Sequence, residues 1–248
     1  PAREFPAQLV DNFSLSQSLL PLQTRCGLWR APGSNTRAWA VQSFLHELAV
    51  AAGRDHLEFL LEVMGEPKWL PPQNPHSLNT GRAADVIKLA AEKAGWGKKL
   101  PAGRGLGLAF HFSHAGHFAE VAEVSVSAAK NITVHNITVA ADIGPVVNLS
   151  GAENQCQGSV VDGLSAMLEL EVTMENGRIV QENFDTYPLL RMPAAPPVDV
   201  HFIESDNPPT GAGEPALPPL APAVCNAIYA ASGHRVRTLP LSKEGFSI

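Results

Sequence analysis

After Gly105 the spacing of the apolar residues changes, and this change constrains the fold more than any other feature of the chain. Upstream of it the pattern is helical. The stretch R-A-W-A-V-Q-S-F-L-H-E-L-A-V-A-A-G sets Trp39, Leu45, Leu48 and Ala49 at helical intervals, with Asn35-Thr36 as a candidate N-cap and Gly53 as a stop. A second helix is predicted from Asp55 to Met64, and a third from about Thr80. The four prolines between residues 66 and 80 mark a surface connection. Downstream, L-G-L-A-F-H-F-S is short and β-rich, and F-A-E-V-A-E-V-S-V-S alternates like a half-buried strand. N-I-T-V-H-N-I-T-V-A-A-D and P-P-V-D-V-H-F-I-E read as further strands, and Asn176-Gly177 as the turn of a hairpin. Helices are predicted from Asn148 to Met167 and from Ala216 to Ser232, the latter with prolines in its first turns, where they are tolerated. Helices first and then a mixed sheet with helices make the class α+β. The chain divides into an extended and helical region, residues 1–100, and an α+β region, residues 101–248.

Several function classes are excluded by composition. The net charge is −6 with no basic run, so nucleic acid is not the expected partner, because phosphate recognition needs clustered Lys and Arg. No apolar stretch is long enough to span a bilayer. The opening Pro1-Ala2-Arg3-Glu4 has no apolar core of a leader, and without an initiator Met the chain is expected to be a piece of something longer. Cys26, Cys156 and Cys225 are far apart, which suits buried small hydrophobes better than a disulfide or zinc framework.

The residue that most invites a chemical reading is Glu214, in T-G-A-G-E-P-A-L-P-P-L-A-P. Gly211 and Gly213 let the backbone turn sharply and approach a ligand. In a buried turn, desolvation raises a carboxylate's pKa toward neutrality, which suits a general base. The alternative is an acid placed near a helix N-terminus for the helix dipole. His111, His114 and His117 in H-F-S-H-A-G-H are a weaker candidate, for a metal site. On a strand His111 and His117 would share a face and His114 would take the other, and no carboxylate completes the set. Gln155 and Gln157 are read as opening the helix after Asn148, where free backbone N–H groups suit a polar cofactor. Arg30, beside Trp29, either orients a carbonyl or carboxylate or stacks on the surface. G-R-G-L-G at 103–107 lacks the context of a phosphate loop.

Taken together, W-R-A-P-G-S-N, L-P-A-G-R-G-L-G-L-A, A-D-I-G-P-V-V-N, A-E-N-Q-C-Q-G-S-V-V-D-G-L-S-A and G-A-G-E-P-A-L-P-P-L-A-P-A-V-C-N-A-I resemble the C-terminal part of the molybdenum-binding large subunit of the xanthine oxidase family. The nearest branch is that of the isoquinoline 1-oxidoreductase large chain and related bacterial aldehyde dehydrogenases, and the likeness runs from about residue 20 onward. The resemblance implies the molybdopterin-binding fold of that family and the hydroxylation of an aldehyde or N-heterocycle with water as oxygen source. It assigns the base to Glu214 and pterin contact to Gln155, and it lays Gly213 against the metal centre. It matches Arg30 to a substrate loop, although W-R-A-P-G departs from the F-R-G form. It gives His114 and His117 no part. The implied cofactor is molybdenum–molybdopterin, in the cytosine dinucleotide form. The M-G-Q-G-like and G-G-G-F-G-like loops that also hold the cofactor do not occur here, so a missing N-terminal portion or a partner chain is expected to supply them. The expected partners are that chain, a separate iron–sulfur subunit with 2Fe-2S clusters, a cytochrome and a small-molecule substrate. The compartment that follows is the periplasm or cell envelope, with the cytoplasm as the alternative; a non-catalytic assembly module of the same fold is the other functional reading.

Overall fold

The computed structural model describes residues 5–21, 26–74 and 76–248, so residues 1–4, 22–25 and 75 lie outside the described residues. Three strands form consecutively where the apolar period changes: β1 (Arg104–Ser113), β2 (Gly116–Val126) and β3 (Ile132–Asp142). β1 and β2 pair antiparallel, as do β2 and β3. A later strand, β6 (Val198–Phe202), joins β3 in parallel, giving the order β1-β2-β3-β6. The Asn176-Gly177 turn joins the short strands β4 (Met174–Glu175) and β5 (Arg178–Ile179), both turn residues having positive φ.

Both faces of this sheet are covered. Helices α1 (Ser34–Ala51), α2 (His56–Met64) and α3 (Thr80–Ala94) lie on one face, where Leu45, Leu60 and Ile87 pack with Leu108, Phe110 and Val121. Helices α4 (Leu149–Leu168) and α5 (Leu220–Ser232) cover the other, where Val160, Leu164, Val224 and Ile228 pack with Phe118, Ala122 and Val139. β2 is therefore buried on both sides along most of its length, and the half-buried strand expected from its alternation is corrected. The polar member of that alternation, Glu120, is fully buried, and neither of its carboxyl oxygens has a hydrogen-bond partner. Burial pushes its pKa well above the usual carboxylate range.

The helix starts follow local chemistry. Asp55 caps α2 by accepting from the N–H groups of Leu57 and Glu58, and Asn79 and Asn148 cap α3 and α4 in the same way. α1 differs from its expected start: its N-cap is Gly33, at φ 72°, and Asn35 instead donates from its side chain to the carbonyl of Arg30. α5 begins at Leu220, four residues later than expected, because the prolines after Glu214 hold that segment in non-helical turns.

The glycines of G-R-G-L-G serve packing. A Cβ on Gly107 would stand 2.2 Å from both Ala223 O and Ala227 N, so only glycine lets the backbone of α5 lie on β1. The Asn226 side chain in α5 donates to Leu108 O, and Gln42 in α1 accepts from Phe110 N, which satisfies polar groups of this edge strand. Gly107→Ala is expected to destabilise the protein by about 1–3 kcal/mol through this overlap. Urea unfolding measures it, and an unchanged midpoint would mean that α5 moves away freely.

Two buried polar arrangements tie the layers together. Arg82 in α3 forms a two-pronged pair with Asp142 at the end of β3, Nε to Oδ2 at 2.6 Å and a terminal nitrogen to Oδ1 at 2.8 Å. Asp142 also accepts from Gly144 N and Ser205 Oγ; burial alone would raise its pKa, and these donors together hold it below the usual range. Between α1 and α2, the buried rings of His46 and His56 meet edge to face, 4.8 Å between centroids, and Arg235 donates to His46 Nδ1 at 2.7 Å.

Candidate active site

Glu214 sits in the turn between β6 and α5, and residues distant in sequence converge on it. Arg30 lies in the loop before α1. Its Nε donates to the carbonyl of Gly213 at 2.5 Å, and a terminal nitrogen donates to Gln155 Oε1 at 3.0 Å and to the Gln155 carbonyl at 3.1 Å. One residue further on, the N–H of Ala31 donates to Glu214 Oε1 at 3.3 Å. The four residues singled out from sequence, Arg30, Gln155, Gly213 and Glu214, thus form one contiguous cluster.

Each is positioned by its own element. Gln155 projects from α4, about two turns past its start at Leu149. The helix therefore opens earlier than the two glutamines, and what Gln155 offers is its side-chain amide. Arg30 is fixed by α4 on two sides, because Asp162 also accepts from the Trp29 indole at 3.4 Å and lies 3.9 Å from Arg30. Its guanidinium thereby braces the glutamate turn against α4. Ala31 is fully buried yet takes a positive φ of 55°, a region that costs a non-glycine residue energy and that clusters at functional sites.

The structure adds His114, whose Nε2 lies 2.6 Å from Glu214 Oε2. The family resemblance gave this histidine no part, and the sequence offered it only as a candidate metal ligand; the β1–β2 hairpin instead brings it to Glu214 across the fold. The turn itself carried a signal. His114 and Ala115 occupy its two central positions with φ 52° and 62°, where Asn-Gly is the ordinary choice. The Glu214 side chain is 39% exposed, so the dry turn expected from sequence is a partly open one in this chain.

The other two histidines of H-F-S-H-A-G-H are separated by that turn. His111 pairs with Phe118 and His117 with Phe112, so they fall on opposite faces of the sheet, not on one. His117 Nε2 accepts from Asn79 N at 3.0 Å, where α3 begins, and burial pushes its pKa down to about 3. Among the described residues, no group of three His, Cys, Asp or Glu is placed to hold a metal ion. Cys156 and Cys225 are buried, with thiols pushed up to about 12 by that burial.

Whether these residues suit a large polar cofactor is answered by the donor set. A Cβ on Gly213 would face Gln155 Oε1 at 3.9 Å, with nothing nearer, so the glycine leaves the gap in front of the amide open. A planar amide, a glycine with open space where a side chain would stand and a carboxylate on one rim are a polar donor set that fits the edge of a pterin.

The family model of the molybdopterin cofactor-binding domain matches residues 76–196. The chain is 32% identical over 235 residues to a membrane-bound aldehyde dehydrogenase (pyrroloquinoline-quinone) of Gluconacetobacter polyoxogenes, covering 92% of this chain and 30% of that protein. It is 31% identical over 242 residues to one of the subunits of nicotinate dehydrogenase from Pseudomonas putida, covering 89% of this chain and 19% of that one. With the beta chain of isoquinoline 1-oxidoreductase from Brevundimonas diminuta the identity is 32% over 169 residues, 66% of this chain and 22% of that one. The chain therefore spans less than a third of the length of these relatives. Among solved structures, the aldehyde oxidoreductase of Desulfovibrio gigas superposes with a TM-score of 0.65 at 14% identity, over 86% of this chain and 40% of that one, a likeness of fold.

Proposed function

The chain belongs to the molybdenum-binding subunits of the xanthine oxidase family, and on that premise we propose that it carries the general base of a molybdenum hydroxylase acting on an aldehyde or N-heterocycle. The observation that carries this reading is the convergence of Arg30, Gln155, Gly213 and Glu214 from three separate parts of the chain. When bound, the molybdenum cofactor supplies the two-electron centre at which oxygen from water replaces hydrogen on the substrate carbon. Gln155 and the open backbone at Gly213 hold the pterin side. Glu214 accepts the proton of the water-derived oxygen as that oxygen attacks carbon. The Ala31 N–H and His114 Nε2 fix one carboxylate oxygen each, so the base is oriented before substrate arrives. Arg30 acts as a positioning residue, holding the turn to α4.

The substrate classes follow from the relatives' names, which cover aldehydes, nicotinate and isoquinoline. The remaining contacts to the cofactor, in its cytosine dinucleotide form, come from a further portion of the large subunit or from a partner chain. Electrons leave through a 2Fe-2S subunit toward a cytochrome, since the buried Cys156 and Cys225 offer no cluster ligands. The site of action is the cell envelope, which agrees with the word membrane-bound in the name of the Gluconacetobacter relative. Among the described residues no helix is long and apolar enough to cross a membrane.

Intact-mass and metal analysis of the native complex tests this. The expected result is near-stoichiometric molybdenum, together with an iron–sulfur chain and the rest of the large subunit. A native, metal-free monomer would leave an assembly module of the same fold as the better account.

A further inference from the structure

His114 is the histidine of H-F-S-H-A-G-H that solvent reaches. Its side chain is 41% exposed at the tip of the β1–β2 turn, whereas His111 and His117 are buried. It is also the titratable group that meets the base. Glu214 Oε1 accepts from the uncharged Ala31 N–H, and Oε2 lies against His114 Nε2. Arg30 bonds instead to the Gly213 carbonyl and to Gln155, and the carboxylate near it is Asp162. The other charged and titratable groups around the His114 ring come from further elements. His111 on β1, Arg37 on α1 and His76 in the loop before α3 line with it a cavity on that side of the turn. Burial, and then the charges of Arg37 and His114, push the pKa of His111 down to about 3, and burial pushes that of His117 on β2 to about 3 as well, so both rings stay neutral. An arginine keeps its charge throughout. Imidazole is the side chain whose charge changes between pH 5 and 8, and the imidazole in contact with Glu214 is that of His114.

From this geometry we infer that His114 gates the base. The neutral ring donates its Nε2–H to Glu214 and leaves the carboxylate free to take a proton. The ring protonated at Nδ1 as well holds the carboxylate in an ion pair and silences it. The physical reason is that an opposite charge at hydrogen-bond distance favours the ionised carboxylate, which makes it a weaker proton acceptor. His114 is in this sense a positioning residue, acting through Glu214. The gate needs no movement of the chain, since the contact is already made at 2.6 Å, and its one event is the uptake of a proton by an exposed ring. Turnover is therefore lost on the acid side while the fold is intact.

This inference deepens the hydroxylase reading and rests on Glu214 being the base. The complete enzyme is assayed between pH 8 and 6 with benzaldehyde, which has no titrating group. Parent kcat/KM is expected to fall at least about threefold over this range, where imidazoles take up a proton. Two variants remove the titrating ring. His114→Asn suits a turn position at φ 52°, and its shorter side chain withdraws from the carboxylate; His114→Gln keeps an N–H donor that does not titrate. Both are expected to hold kcat/KM within about twofold across the range, while His76→Asn falls like the parent. A fall in His114→Asn equal to that of the parent overturns the inference, because the loss would then come from unfolding or from another group. A parent that stays level overturns it too. A second readout does not depend on turnover. Exchange of the His114 Cε1 hydrogen, followed by mass spectrometry across pH in the native complex, reports where the ring takes up its proton. Glu214→Gln is expected to move that profile, since the contact couples the two groups, and an unmoved profile overturns the inference. If molybdenum-loaded enzyme leaves benzaldehyde unoxidised, the hydroxylase reading fails for this substrate, and the exchange profile still decides whether the pair is coupled.

Discussion

Glu214→Gln is expected to lower kcat by roughly a hundredfold to ten-thousandfold, with the molybdenum content of the purified complex unchanged. The amide has the size of the carboxylate and keeps an oxygen for the Ala31 N–H, which donates at 3.3 Å in the parent chain. What it loses is the capacity to take a proton. The Arg30 brace is made to the backbone carbonyl of Gly213 and to Gln155, so the substitution leaves the turn in place. A fall in turnover without loss of metal therefore isolates proton transfer. The competing account, an acid favoured near the start of α5 by the helix dipole, makes the opposite prediction. There the amide would cost only about 0.3–1 kcal/mol of stability and would leave kcat within a few-fold. Steady-state rates and metal analysis on the same preparation distinguish the two.

The second large effect is on stability against pH. His46, pushed down to about 4 by its burial, and His56, His111 and His117, each pushed down to about 3 chiefly by theirs, stay neutral in the folded protein. In the unfolded chain they titrate near 6.5. Below that pH the unfolded state binds protons that the folded state does not, so stability is full above about pH 6.5 and is lost as pH falls below it. Each histidine contributes about 1.4 kcal/mol per pH unit. Glu120 works in the other direction, since its raised pKa keeps it protonated when folded and lets it ionise above about 4.3 when unfolded. Four histidines against one carboxyl leave about three protons, or about 4 kcal/mol per pH unit at most between pH 6 and 5. A protein at the lower end of ordinary stability, about 5 kcal/mol, would then be close to unfolding near pH 5. Urea midpoints measured across this range are expected to fall steeply. His56→Phe, whose parent ring leaves both nitrogens without partners, should flatten the slope by about one proton. Midpoints that stay level down to pH 5 would mean that these rings take up protons without unfolding.

The main sheet and the helices around it could be read from period and capping alone, because each has a local cause in its own residues. Asp55, Asn79 and Asn148 announce their helices by their own chemistry. What could not be read was set by distance. The covering of β2 on both faces depends on α1–α3 returning across the sheet, and Glu120 gave no sign of being buried without a partner. Glu214 stood out through its glycines and prolines, and the family resemblance brought Gln155 and Arg30 to the same place. His114 escaped because its contact is made by a hairpin about one hundred residues earlier in the chain. The faces of His111 and His117 were misassigned because the turn between them was taken as continuous strand.

The Arg30–Gly213 bond joins residues 183 positions apart. In folding terms it closes a loop that takes in most of this stretch of polypeptide, and such closures come late because their entropy cost precedes their reward. Most strands and helices can therefore be in place while the base still swings free of its mount. Competence for proton transfer would then report on completion of the fold, and a nascent or clipped chain that lacks either partner of that bond would be inert by construction. A hydroxylase assembled from several pieces would gain from such an order of events, since an unfinished subunit would present no base to a cofactor loaded too early.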